Sequence, residues 1–370
     1  MQKEQITDKE AIYLLTVFVM GSSLIIGIAG DAKNDAWISG IISIIMFIPF
    51  ILVFSRILSL FQGKDLFDIL NIVFGKVIGK VVAIIYILYS FHLGVLVLRN
   101  FGEFCNIVAI PETPMFVPML GLGLVGIIAA RSGIEVIGRI STFFLPILIF
   151  ILMVVQILAI PQLKMNYLKP YLGNGLIPVL KGAYSTFTFP FAETVVLIGV
   201  FSSLKTKKSP YRVYFWGIMI SSIIIIATTI RNIGMLGNML GSFYFPSYQA
   251  VSVINIGDFI QRMEVTVSIV FIFGAFIKSS ICLLVVTKGI GKMFNLKDQR
   301  SIVIQTGLLM IYFAYIIYDN SMEMVNWAFK VYPYYAFPMQ VILPIIIWIF
   351  EEIKCKKMNS QNKGLEFSEK

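Results

Sequence analysis

The sequence predicts an all-α integral membrane fold: ten transmembrane helices in a five-plus-five inverted repeat, with the first and sixth helices broken. Three observations predict it. The 370 residues are 58% hydrophobic and 14% charged, with a mean hydropathy of +0.87, which exceeds what a soluble globular chain carries. Lys and Arg outnumber Asp and Glu by 30 to 20, yet they sit in short connectors between apolar runs. That is a topology signal and not a nucleic-acid patch. Finally, helix-breaking and polar residues interrupt two of the runs at matching places, the first run of each half.

In chain order, Thr7 and Glu10 stand at capping-box spacing, which satisfies free amides at a helix start and sets up a first span from Ala11 to about Ala29. The mixed charge of Met1 to Glu10 does not fit a signal peptide, so this span is expected to persist. A hydrocarbon core roughly 30 Å thick takes about 20 apolar residues. By that rule further spans fall at 37–60, 77–99, 115–130 and 138–160, then at 178–203, 211–230, 264–288, 302–319 and 334–352. Residues 1–357 are thus expected to form one membrane domain, followed by a polar tail at 358–370 without fixed structure. Assigning connectors alternately to the two sides puts most basic residues, among them Arg56, Lys205, Lys207, Lys208 and Lys292, with the N-terminus. Both termini are therefore expected in the cytoplasm.

One outer connector is long, 231–263. Within it, Pro246 to Ile260 places Val251, Ile254 and Ile256 among polar residues, as in a short amphipathic helix lying over the outer face like a lid. A loop held in the headgroups by Phe243, Tyr244, Phe245 and Tyr248 fits the composition equally.

The interruptions carry the functional reading, because a helix breaks inside hydrocarbon only where its freed backbone groups meet protein, water or ligand. The first span holds Gly21, Ser22, Ser23 and Gly27, residues that lower the cost of leaving helical geometry and can bond released backbone. In the sixth, Pro190 removes an amide and predicts unwinding around Phe187 to Phe189, with Phe191 and Glu193 just beyond. Glu193 is expected in the first turn of a half-helix, where the dipole favours a carboxylate. It reads as a cap, an ammonium contact, a proton site or a latch to a neighbouring helix. The plainer reading of both interruptions is close helix packing at 21–27 and an ordinary proline kink at 190.

Other ionisable groups in the spans have two readings as well. His92 is a packing histidine or a proton relay; Lys278 is an interior-facing residue or an internal cation standing in for a sodium ion. Arg99 and Glu103, four apart, read as a local ion pair, and Asp319 and Glu323 as solvated. Cys105, Cys282 and Cys355 are too scattered for a disulfide framework or zinc site, so no metal and no cofactor is expected. The chain has neither H-E-x-x-H nor G-x-S-x-G, which argues against an embedded enzyme.

Three stretches carry a resemblance: Ile6-Thr7-Asp8-Lys9-Glu10-Ala11 at the first span, Phe189-Pro190-Phe191-Ala192-Glu193 in the sixth, and Asp258-Phe259-Ile260-Gln261-Arg262-Met263-Glu264 before the eighth. Over nearly its whole length the chain resembles the B subunits of nutrient germinant receptors of endospore-forming bacteria. These form the spore permease family, within the amino acid, polyamine and organocation transporter superfamily. That family commonly has glycine where Ala192 stands. The resemblance implies a leucine-transporter-type fold and a sporulation protein without enzymatic activity. It implies a small nutrient ligand, such as an amino acid, held by Gly21 to Gly27 and Phe187 to Glu193. It also implies A and C partner subunits and residence in the spore inner membrane. In that setting the amides near Ser22 and Ser23 are expected to receive a carboxylate, Phe189 and Phe191 to shape the apolar side, and Arg262 and Glu264 to anchor the lid. A proton-coupled amino acid or amine permease, using Glu193 or His92, is the alternative.

Overall fold

The computed structural model describes residues 5–254 and 262–368, with side chains to residue 357. Among them no strand forms, and a single bridge pairs Ile6 with Leu204. Helix α1 (Asp8–Ile26) opens on the capping box: the Thr7 hydroxyl accepts from the Glu10 amide at 3.2 Å, and the Glu10 carboxylate accepts from the Thr7 amide at 2.8 Å. Its backbone leaves helical geometry at Gly21 (φ −4°, ψ −109°). A short turn then leads into α2 (Ala36–Leu60).

Helix α3 (Leu66–Phe104) is capped by the Asp65 carboxylate, which accepts from the Asp68 amide at 3.0 Å. Gly75, at φ 78°, divides α3 just ahead of the expected span 77–99; that left-handed geometry disfavours a side chain. Next come α4 (Phe116–Ser132) and α5 (Ile134–Ala159). The sixth segment is α6 (Leu176–Thr186), a π turn at Phe187–Phe191 where Phe189 is extended (φ −130°, ψ 112°), and a 3-10 stretch, Ala192–Gly199.

Beyond it lie α7 (Ser209–Leu236), α8 (Pro246–Ser252), α9 (Glu264–Met293) and α10 (Val303–Ile316). The last segment is compound: α11 (Ser321–Asn326), α12 (Tyr332–Phe337) and α13 (Leu343–Ser368) are joined by π turns at Trp327–Val331 and Pro338–Ile342. Seven of the described helical stretches are long and apolar enough to cross a membrane, and Phe116–Ser132 is a shorter apolar helix. The elements follow the ten expected spans in order. Helix α7 runs on to Leu236, so the outer connector starts later than Arg231. The last segment begins at Ser321, well ahead of 334. Helical backbone continues through the expected tail to Ser368.

Burial sorts the helices. The windows of α9 and α1 are 83% and 78% buried, against 28% for α5, so α1, α9 and the broken sixth segment form the centre. Around it, Ile45, Leu52, Val77, Leu88, Ile128, Phe143, Phe150 and Ile223 point outward. A belt of that size is lipid-facing in a chain with these spans. Arg56–Glu352 (2.6 Å) and Lys292–Asp68 (2.6 Å) tie segments together on the face where α1 begins.

The stretch expected to form a lid begins as α8, with Val251 buried inside that short helix and Ile254 buried just past its end. Its continuation to Ile260, with Ile256 and Asp258 to Gln261, lies outside the described residues. Arg262 and Glu264 face each other at 3.8 Å at the start of α9.

Candidate functional site

The two breaks meet. Gly21 of α1 crosses α9 at Gly274, and one turn further along α9 Lys278 reaches the break, its Cδ 3.2 Å from where a Gly21 Cβ would stand. From the other side the sixth segment presents Glu193, in the first turn of its 3-10 stretch. Lys278 Nζ donates to Glu193 Oε2, and the side chains are 0% and 1% exposed. The ammonium also sits 5.2 Å from the ring centres of Phe18 and Phe189, so its charge is met by a carboxylate and two π faces. A lone charged side chain at a bilayer centre costs about 3 kcal/mol or more. Pairing these two offsets much of that.

The second Glu193 oxygen accepts from the Tyr332 hydroxyl at 2.5 Å. Tyr332 is within 3.2 Å of the Tyr89 hydroxyl, and the Gln340 amide donates to Tyr89 (2.8 Å) and to the Thr188 carbonyl (3.0 Å). The sixth segment's backbone is therefore satisfied from outside, by Gln340 at Thr188 and by the Tyr214 hydroxyl at the Thr194 carbonyl (3.0 Å). This is what a broken helix in hydrocarbon requires. Glu193 spends both oxygens on Lys278 and Tyr332 and does not cap its own turn: of its four sequence readings, the observed bonds are those of a latch.

Beside the pair lies a cavity of about 40 Å³ lined by Ser22, Asn100, Phe189, Glu193, Lys278 and Trp327, among others. It has room for a few waters. The Ser22 hydroxyl is fully buried there without a partner. Above it, on the face where α1 ends, opens a vestibule of about 860 Å³ that reaches Gly27, Asp31, Asp35, Asn232 and Pro246. Ile26 and Phe329 line both spaces and separate them.

Of the residues singled out from sequence, Ser22, Phe189, Glu193 and Lys278 come together at this cavity, and Gly21 supplies the crossing that admits Lys278. The Ser23 hydroxyl is occupied by the Val19 and Met20 carbonyls (2.8 and 3.0 Å). Gly27 lies in the vestibule wall. Phe187 and Phe191 turn the other way, onto Phe47 at 5.9 and 6.0 Å. His92 packs edge-on against Trp327 and Tyr335 (5.9 and 5.2 Å), its Nδ1 without a partner. Arg99 and Glu103 form the expected ion pair, 2.7 Å apart and buried. Asp319 and Glu323 are exposed. Sequence reading missed Tyr332, Tyr89 and Gln340; Gln340, a lone amide in the run Phe337 to Ile342, was a findable signal. Among the described residues no cluster of three or more His, Cys, Asp or Glu could hold a metal ion.

Comparison with known proteins bears on the family and the fold. The family described as spore germination protein, spore permease, matches residues 5–350. Spore germination protein KB of Bacillus subtilis is 27% identical over 99% of each chain, and spore germination protein A2 of the same organism 26% identical over 86% of this chain and 87% of that one. Among solved structures, Mhp1, a nucleobase-cation-symport-1 family transporter in a closed conformation with bromovinylhydantoin bound, superposes with a TM-score of 0.67 at 10% identity, covering 95% of this chain and 91% of that one. MhsT in complex with L-phenylalanine gives 0.61 at 12% identity, covering 96% and 100%. The fold is thus the leucine-transporter type.

Proposed function

Because the chain belongs to the spore permease family of spore germination proteins, we propose that it is the membrane subunit of a nutrient germinant receptor and that its ligand binds at the Glu193–Lys278 pair. The observation that carries this reading is the pair itself, two opposite charges buried beside a cavity whose wall holds a partnerless Ser22 hydroxyl. A free amino acid brings an ammonium and a carboxylate of its own. It can exchange into the pair, ammonium to Glu193 and carboxylate to Lys278, with Ser22 as an added donor and Phe189 against its side chain. Exchange loosens the link between the sixth segment and α9, and the population shifts between two conformations. A larger A subunit and a C lipoprotein in the spore inner membrane read that shift. In this reading Gly21 and Ser23 flank the site, Gly27 lines its approach, Phe187 and Phe191 hold the sixth segment from behind by packing on Phe47, and both termini face the cytoplasm.

Spores carrying Glu193→Gln test it. The variant should accumulate normally and lose the nutrient response, and an unchanged dose response overturns the site assignment. A second reading, a proton-coupled amino acid permease, draws support from the transporter fold. Uptake of labelled amino acids into proteoliposomes containing the purified chain separates the two.

A further inference from the structure

Near the outer end of α7 stands a second buried charge that the Glu193–Lys278 site does not use. Arg231 is 1% exposed, and among the described residues no carboxylate lies within ion-pairing distance. Its Nε and Nη2 both donate to the amide oxygen of Asn232, at 3.2 and 2.8 Å. Among the described residues Nη1 has no partner. One helical turn earlier, Thr228 is buried with its hydroxyl equally unpartnered, although its neighbour Thr229 bonds back to the Ile225 carbonyl at 2.8 Å as helical threonines do. Two orphan donors on one turn of helix, one of them cationic, are costly in a low-dielectric interior.

The guanidinium is not needed for the bonds around it. Asn232 donates to the Ser247 hydroxyl at 2.8 Å, and Ser247 donates to the Leu24 carbonyl in the broken end of α1. That chain ties α8 to α1 by neutral groups alone. A charge kept buried beside it calls for a counter-charge, and the free edge of the guanidinium, Nη1 with the outer hydrogen of Nη2, is the edge that takes an anion.

We propose that Arg231 is the core of a binding site for one small monovalent anion, chloride or the carboxylate of a small organic acid, beneath α8. A monovalent ion neutralises the single charge, whereas a divalent one leaves a net charge buried. The approach is from the vestibule, whose wall includes Thr229, Pro246 and the Asn232 that accepts from the guanidinium. This inference does not rest on nutrient binding at Glu193.

The test uses the full chain in detergent at fixed pH and ionic strength, with chloride replaced stepwise by gluconate, a bulky polyhydroxy anion that serves as the reference, or by acetate. A saturable rise of the thermal midpoint in chloride or acetate over gluconate supports the site, and which of the two acts identifies the source of the anion. Arg231→Gln should abolish the rise. Should that variant fail to fold, equilibrium binding of radiolabelled chloride and of radiolabelled acetate to the wild-type chain, each measured against excess gluconate, decides alone. Equal midpoints in all three salts, an undiminished rise in Arg231→Gln, or no saturable binding of either label overturns the proposal.

Discussion

Gly21 and Gly274 touch backbone to backbone: a Cβ built on Gly274 would stand 2.7 Å from the Gly21 Cα. The contact locks the break of α1 to α9 and sets how far Lys278 reaches toward Glu193. Gly274→Ala should therefore push the helices apart, cost about 1–3 kcal/mol, and weaken the nutrient response. Gly121→Ala is the control: nothing lies within 4 Å of its Cβ position, so thermal stability in detergent should stay level or rise slightly.

The buried pair predicts a non-additive double mutant. Lys278→Met leaves Glu193 without its cation and should cost roughly 3–5 kcal/mol; Glu193→Gln strands the ammonium at a similar cost. Combining them should recover much of the stability and none of the nutrient response. Unfolding midpoints and germination assays on the same four proteins check both halves, and additive losses of stability would refute the coupling.

Tyr332→Phe removes one donor from Glu193 and keeps the ring. A hydrogen bond to a charged group is worth about 1.5–3 kcal/mol, so the variant should be less stable yet folded. Its half-maximal nutrient concentration should shift, because Glu193 becomes freer to meet a ligand.

Ser22→Leu fills the cavity beside the pair. Protein amount should hold while the response to nutrient falls or changes its preference toward smaller ligands, as measured by dose–response curves over a nutrient panel.

Ser247→Ala cuts the bond from α8 to the Leu24 carbonyl. At about 1 kcal/mol for such a bond, amides of α8 and the outer end of α1 should exchange with deuterium roughly fivefold faster. Unchanged exchange there would show that α8 is held by packing alone.

Much of this arrangement was legible in the sequence, because the signals were local. Thr7 and Glu10 announce a helix start within four residues, Arg99 and Glu103 a pair within one turn, and the stretches 21–27 and 187–190 a break in each of two spans, which falls at Gly21 and Phe189. What escaped reading depends on how the segments rotate about their own axes. Glu193 and Lys278 are 85 residues apart, and both were marked as buried charges without their partnership being visible. Phe187 and Phe191 looked like companions of Phe189, but the π turn followed by 3-10 geometry swings them onto Phe47 and leaves Phe189 alone at the cavity. Tyr332 and Gln340 were hidden because the last segment is built from short helices and π turns, which spoil the 3.6-residue period that would have set their direction.

The partition formed by Ile26 and Phe329 leaves a wide antechamber over a chamber that holds only a few waters. With binding at the Glu193–Lys278 pair as proposed, a nutrient would gather outside and enter only during the fraction of time the partition is open, its apparent affinity scaled down by that fraction. Such a receptor ignores traces and brief pulses: the rate of commitment levels off at the opening rate however much nutrient is supplied. For a dormant cell, the threshold for waking is then set by the rarity of an internal motion as much as by the strength of any contact.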